Sequence, residues 1–168
     1  PSALGEGVVV VARRGDGAWG APLKDEGAKY VPLRVSTVSD VSKARLLRSL
    51  VEKHTNSEQM DALTGHLGIA AEPVRMDSTA KNTVLAAGNG DVLLRLLSND
   101  QPDYRECIWD QAAASVIVEE AGGRVTDLTG AALDFTTGRR LENNRGVLAT
   151  NGVLHETLLE GLAATGCI

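Results

Sequence analysis

The stretch Trp109-Asp110-Gln111-Ala112-Ala113-Ala114-Ser115-Val116-Ile117-Val118-Glu119-Glu120-Ala121-Gly122-Gly123 decides the fold. Small and β-branched residues run almost without interruption from Ala112 to Val118. That suits a helix packed on most sides rather than an amphipathic surface helix. Asp110 stands where the first turn begins, so its charge faces the positive end of the helix dipole and the unpaired first-turn N–H groups. Read alone, it is a helix cap. Gly122-Gly123 then supplies the residue type that stops a helix, because glycine reaches left-handed dihedrals without steric cost.

The pattern on either side is one of strands alternating with helices. Leu33 to Val38 reads as a strand, Val41 to Leu50 carries apolar residues at helical spacing, and Gln59 to Leu67 is a second helix ended by Gly68. Pro73 to Asp77 reads as a strand that runs into Ser78, a good N-cap for a helix over Thr79 to Ala87. Asp91 to Leu96, Arg124 to Thr126 and Gly146 to Thr150 are further strands, and Val153 to Leu162 is a closing helix. Strands separated by helices imply βαβ crossovers, hence an α/β domain with a mainly parallel sheet flanked by helices.

The N-terminal end reads differently. Val8 to Val11 is a β-branched run, Arg14-Gly15-Asp16-Gly17 is turn chemistry, and Ala18-Trp19 begins a return strand, so Gly7 to Trp19 is a hairpin. A lone hairpin is not stable in water, so its strands belong to a sheet completed elsewhere. The polar, interrupted Asp25 to Pro32 stretch divides the chain into 1–31, the hairpin, and 32–168, the α/β domain.

Composition narrows the partners. The chain has 168 residues and a net charge of −5, with Lys and Arg dispersed along it. A nucleic-acid or anionic-membrane partner needs a concentrated basic surface, and none is present. Cys107 and Cys167 form neither a CxxC nor a disulfide framework, and there is no Asn-x-Ser/Thr sequon. A reduced, cytoplasmic protein is expected. No apolar run is long enough to span a bilayer. The start at Pro1 without Met suggests a processed or excised piece.

In such sheets, ligands sit where strand ends meet helix starts. Met76-Asp77-Ser78-Thr79-Ala80-Lys81 offers helix N–H groups, a hydroxyl and an ammonium, an anion cradle by its chemistry and also an ordinary capped helix start. Ile108-Trp109-Asp110 offers a carboxylate suited to Mg²⁺, which is often shared between protein acids and substrate phosphate. Together the two junctions suggest a metal-assisted phosphate site.

These residues resemble a known family. Trp109-Asp110-Gln111-Ala112-Ala113 with Glu120-Ala121-Gly122-Gly123 is similar to the second motif of the lithium-sensitive, Mg²⁺-dependent phosphatases typified by inositol monophosphatase. The stretches Val74 to Lys81, Tyr104 to Asp110, Leu133-Asp134-Phe135 and Asn144-Arg145-Gly146-Val147 resemble the 3′(2′),5′-bisphosphate nucleotidases of that superfamily. The resemblance implies a layered sugar-phosphatase fold and removal of the 3′-phosphate of 3′-phosphoadenosine 5′-phosphate, with two or three Mg²⁺ ions as cofactor. By resemblance Asp110 is the catalytic, metal-ligating aspartate, and Ser78, Lys81, Arg95 and His54 bind the nucleotide bisphosphate. For Arg95 an ion pair, and for His54 simple exposure, are the plain alternatives. Gln111, Ala114 and Cys107 stand where the family commonly has His, Gly and Lys. The family's first motif, Asp-Pro-(Ile/Leu)-Asp-Gly-Thr, and an earlier Glu do not occur. The chain is therefore expected to be the C-terminal portion of the enzyme, with the N-terminal half as its missing partner. Two other readings compete: an inositol or sugar phosphate phosphatase, and an inactive nucleotide-binding module.

Overall fold

The computed structural model describes residues 7–25, 27–50, 56–97, 101 and 103–168. Strands β1 (Val8–Arg13), β2 (Gly17–Pro22) and β3 (Val31–Pro32) form a three-stranded antiparallel sheet in the order β1-β2-β3. The expected hairpin is its first two strands, with Val8 opposite Pro22 and Arg13 opposite Gly17. The remaining strands are β4 (Leu46–Arg48), β5 (Val74–Arg75), β6 (Val92–Arg95), β7 (Arg124–Thr126) and β8 (Val147–Thr150). They make a second sheet in the order β5-β4-β6-β8-β7. Helices α1 (Ser57–Leu67), α2 (Ala80–Ala86), α3 (Ile108–Glu120) and α4 (His155–Ala164) flank it. No helix among the described residues is long and apolar enough to cross a membrane.

The α/β class holds, and the sheet is mixed. β4 pairs in parallel with β5 and β6, whereas β8 pairs antiparallel with both β6 and β7. Four strands therefore run in one direction, as crossovers through α1, α2 and α3 require, and β8 lies between two of them running the other way. The chain reaches β8 from β7 through 127–146, which contain no helix, and a parallel return needs such a crossover. The Asp127 carboxylate organises that loop by accepting from the N–H groups of Thr129, Ala131 and Arg145.

Both faces of this sheet are covered, so its strands read as continuous apolar runs. Leu46, Val92, Leu94 and Leu148 pack against Met60 and Leu63 of α1 and Leu158 and Leu162 of α4. Leu47, Leu93, Val147 and Ala149 pack on the opposite face against Leu85 of α2 and Val118 of α3. Farther out, Ala86 and Ala121 meet Ala18 and Leu33, so the helix layer of α2 and α3 lies between the two sheets. This is why α3 is built from small residues. A Cβ on Gly123 would come within 2.6 Å of the Thr150 carbonyl oxygen, which leaves only glycine where the chain leaves α3.

Three local expectations are corrected. Val41 to Leu50 is not a helix; a single 3-10 turn over Val41–Lys43 precedes β4. Its extended course is held by the buried Asp91, which accepts from the Arg45 N–H at 2.7 Å and from its guanidinium at 2.9 Å. Burial pushes the Asp91 pKa up, but the hydrogen bonds from Arg45 and Ser36 outweigh it and hold the carboxyl below its ordinary value. Leu33 to Val38 forms no strand; the paired strand is β3, and Val35 instead donates to the Ala121 carbonyl at the end of α3. Asp110 is not the cap of α3. Cys107 occupies that position without a side-chain cap bond, and Asp110 lies within the first turn.

His155 is fully buried, with Nε2 2.9 Å from the Thr126 hydroxyl and Nδ1 3.0 Å from the Thr150 hydroxyl. A neutral ring has one donor and one acceptor, which two hydroxyls satisfy. Burial, reinforced by Arg124 and opposed by Glu156, pushes its pKa from 6.5 down to about 4. Between those values the unfolded chain binds a proton that the folded chain does not. Stability is thus lost as pH falls from 6.5 toward 4, by on the order of 3 kcal/mol. The urea midpoint should drop across that window and drop less in His155→Gln. Equal pH dependence in the two proteins would exclude His155 as the source.

Candidate functional site

The parallel strands β4, β5 and β6 end at Arg48, Arg75 and Arg95, and helices α2 and α3 begin nearby. A cleft of about 470 Å³ opens there. Its walls include Ser78, Lys81, Arg95 and Asp110, so four of the five residues singled out from the sequence share one cavity. His54 lies outside the described residues.

Each side chain is placed by its element. In β6, Leu93 faces the layer of α2 and α3, and Arg95, two residues on, points to the same side at the strand end. Lys81, in the first turn of α2, is buried at 6% exposure, and its ammonium donates to the Ser49 hydroxyl at 2.7 Å. Burial, reinforced by Arg95 and opposed by Asp77, lowers its pKa below 10.5. Ser78 does not cap α2 as expected; Thr79 holds that position. Ser78 has a positive φ of 88°, the left-handed region that a non-glycine residue seldom enters, and its hydroxyl accepts from the Ala80 N–H at 3.2 Å. Asp110 sits across the cleft at the start of α3, where the helix dipole favours its charge. Among the described residues its carboxylate has no hydrogen-bond or ion-pair partner.

Sequence reasoning missed the group that joins the two walls. Glu106 is buried at 5% exposure; one oxygen accepts from Arg95 Nε at 3.2 Å and the other from Gln111 Nε2 at 3.0 Å. The signal was an acid directly ahead of Cys-Ile-Trp-Asp, inside the Tyr104 to Asp110 stretch that carries the resemblance, to which no role was assigned. Gln111 supplies a neutral donor where the resemblance has His, and Arg95 takes the ion pair that its plain reading offered. Ser49, the acceptor for Lys81, was missed as well.

The metal fit is partial. Mg²⁺ takes six oxygen ligands and is often held by one or two carboxylates together with waters and substrate phosphate. Asp110 suits it as one such ligand. Glu106 is occupied by Arg95 and Gln111, and Asp77 accepts from the Leu50 N–H at 3.0 Å. No group of three or more His, Cys, Asp or Glu side chains among the described residues could hold a metal ion. These residues do not make a metal site by themselves.

The chain as a whole is similar to proteins of one family. The model of the inositol monophosphatase family matches residues 6–165. A 3′(2′),5′-bisphosphate nucleotidase of Dictyostelium discoideum is 41% identical over 131 residues, 78% of this chain and 39% of that protein. The Schizosaccharomyces pombe protein of the same name is 35% identical over 164 residues, 98% of this chain and 46% of that protein. Among solved structures, inositol monophosphatase from Anabaena aligns with a TM-score of 0.57 at 28% identity, covering 89% of this chain and 55% of that one. Mycobacterium tuberculosis SuhB has a TM-score of 0.64 at 24% identity, covering 94% and 54%, and shares the fold. The chain spans less than half the length of these two nucleotidases.

Proposed function

The chain belongs to the inositol monophosphatase family, and on that premise we propose that it forms the substrate-holding portion of a phosphomonoesterase that converts 3′-phosphoadenosine 5′-phosphate to AMP and phosphate. The observation that carries this reading is the meeting of Asp110 with Ser78, Lys81 and Arg95 in one cleft. Catalysis in the family is metal-dependent. Asp110 is the ligand this chain brings to Mg²⁺, and the acids that complete the set come from the family's N-terminal portion, the partner of this one. In this reading residues 1–31 belong to that portion's sheet domain and 32–168 form the α/β domain. The protein works in the cytoplasm, where the two unpaired cysteines stay reduced.

This chain's residues bind and orient. Lys81 and Arg95 hold the phosphate that does not react, and Ser78 closes the same wall. Glu106 keeps Arg95 in place and ties it through Gln111 to the helix that carries Asp110. Binding energy from the unreacting end of the substrate thereby positions the reacting end, which is where remote contacts raise the rate.

The test is phosphate release in Mg²⁺, with and without Li⁺, by this chain joined to a family N-terminal portion carrying Asp-Pro-x-Asp-Gly-Thr. Faster release from 3′-phosphoadenosine 5′-phosphate than from inositol 1-phosphate is the expected result. The reverse preference would identify a sugar phosphate phosphatase, and release from neither substrate would identify a nucleotide-binding module.

A further inference from the structure

Two arginines beside the cleft have no role in the reading above. Arg48 and Arg75 end β4 and β5 as partners in parallel register, and the Met76 N–H donates to the Arg48 carbonyl at 3.0 Å. Like charges on adjacent strands are unfavourable unless something neutralises them. Among the described residues Arg48 has only Asp61 at 3.5 Å, a carboxylate that is 71% exposed. Arg75 has no side-chain partner among the described residues. Both line a narrow recess of about 20 Å³, and its other walls include Ser49, Lys81 and Arg95, which also border the main cleft. The recess thus has four cationic side chains. Among the described residues Asp61 pairs with Arg48, Glu106 pairs with Arg95, Asp77 lies beside Lys81, and Asp110 borders the cleft that Lys81 and Arg95 share. Its volume is about that of one water, so it receives oxygens reaching in from the cleft rather than a whole nucleotide.

We propose that Arg48 and Arg75 are specificity-determining residues that engage the unreacting phosphate of the substrate from the side opposite Asp110, an inference that rests on the phosphatase reading. A phosphate presents three acceptor oxygens. Lys81 and Arg95 reach it from the cleft, and the paired arginines reach the oxygen turned into the recess. The arrangement selects a dianion over a hydroxyl at that end of the substrate, because without the anion Arg75 stands beside Arg48 with no side-chain partner of its own among the described residues. Protection of an exposed sheet edge is another use for Arg75, since β5 is an edge strand. That use requires neither Arg48 on the interior strand nor a recess shared with Lys81.

Calorimetric binding to this chain decides the matter, using adenosine 3′,5′-bisphosphate, adenosine 3′-monophosphate and inorganic pyrophosphate as probes. In the double variant Arg48→Gln/Arg75→Gln, affinity for the bisphosphate should fall about 10- to 100-fold, while affinity for the 3′-monophosphate stays within about twofold. The thermal midpoint without ligand should rise, since a like-charge pair has been removed. Bisphosphate affinity unchanged in the double variant, or reduced equally for both nucleotides, would overturn the proposal, as would a wild-type chain that binds none of the three probes. Arginine-dependent pyrophosphate binding beside absent phosphate release by the joined protein would retain the recess as an anion site and refute the substrate reading alone.

Discussion

Asp110→Asn should lower phosphate release from 3′-phosphoadenosine 5′-phosphate by about three orders of magnitude or more in the joined protein, and should hardly change its stability. A carboxylate without a side-chain partner among the described residues, lining a cleft, is available to a cation, and charge stabilisation by a bound metal contributes several kcal/mol to a phosphoryl-transfer barrier. Asparagine keeps one oxygen and loses the charge. Its cost to the fold is limited to the interaction of one acid with the first turn of α3, about 0.3–1 kcal/mol. Single-turnover phosphate release and a thermal melt, measured on the same sample, check both parts. Activity within tenfold of the parent at saturating Mg²⁺ would remove Asp110 from the metal set, and a large loss of stability would make it a structural residue.

What the sequence disclosed about this site follows from how local each signal was. Asp110 lies in a helix whose small residues reveal its burial, and Ser78 and Lys81 lie three residues apart at a strand-to-helix junction. Arg95 ends an apolar run. Each is legible within a short window. Glu106 was not, because its significance lies in Arg95, 11 residues earlier, and in its burial. The same limit explains β4. Val41 to Leu50 carries helical spacing, but Asp91, 46 residues from Arg45, pins the segment in extended form. Tertiary contacts of this kind override local propensity. The direction of β8 was hidden for a related reason. Residues 127–146 are held by side chains within the loop, Asp127 among them, and no periodicity in the chain records where the loop delivers the next strand. Ser78 was recognised as a residue of the junction, whereas its positive φ belongs to the folded backbone.

Lys81→Met should move substrate binding and stability in opposite directions. In the unliganded chain the ammonium is 6% exposed, lies near Arg95 and donates to a neutral hydroxyl. Burial disfavours its charged form, so an apolar side chain of similar length should leave the fold as stable or more so. The lowered pKa gives the pH signature. Between the folded value and 10.5 the unfolded chain holds a proton that the folded chain has released, so the parent gains stability as pH rises through that window. Lys81→Met lacks this gain. Binding goes the other way. A hydrogen bond to a charged partner contributes about 1.5–3 kcal/mol, so KM for the bisphosphate should rise roughly 10- to 100-fold. KM for adenosine 3′-monophosphate should stay within about twofold, because that substrate has nothing for the ammonium to hold. Equal rises for both substrates would mean that Lys81 shapes the cleft rather than reading the second phosphate. The contrast in sign is what a purely structural lysine would not produce: its loss would weaken fold and binding together, whereas a lysine kept charged for its ligand costs stability until the ligand arrives.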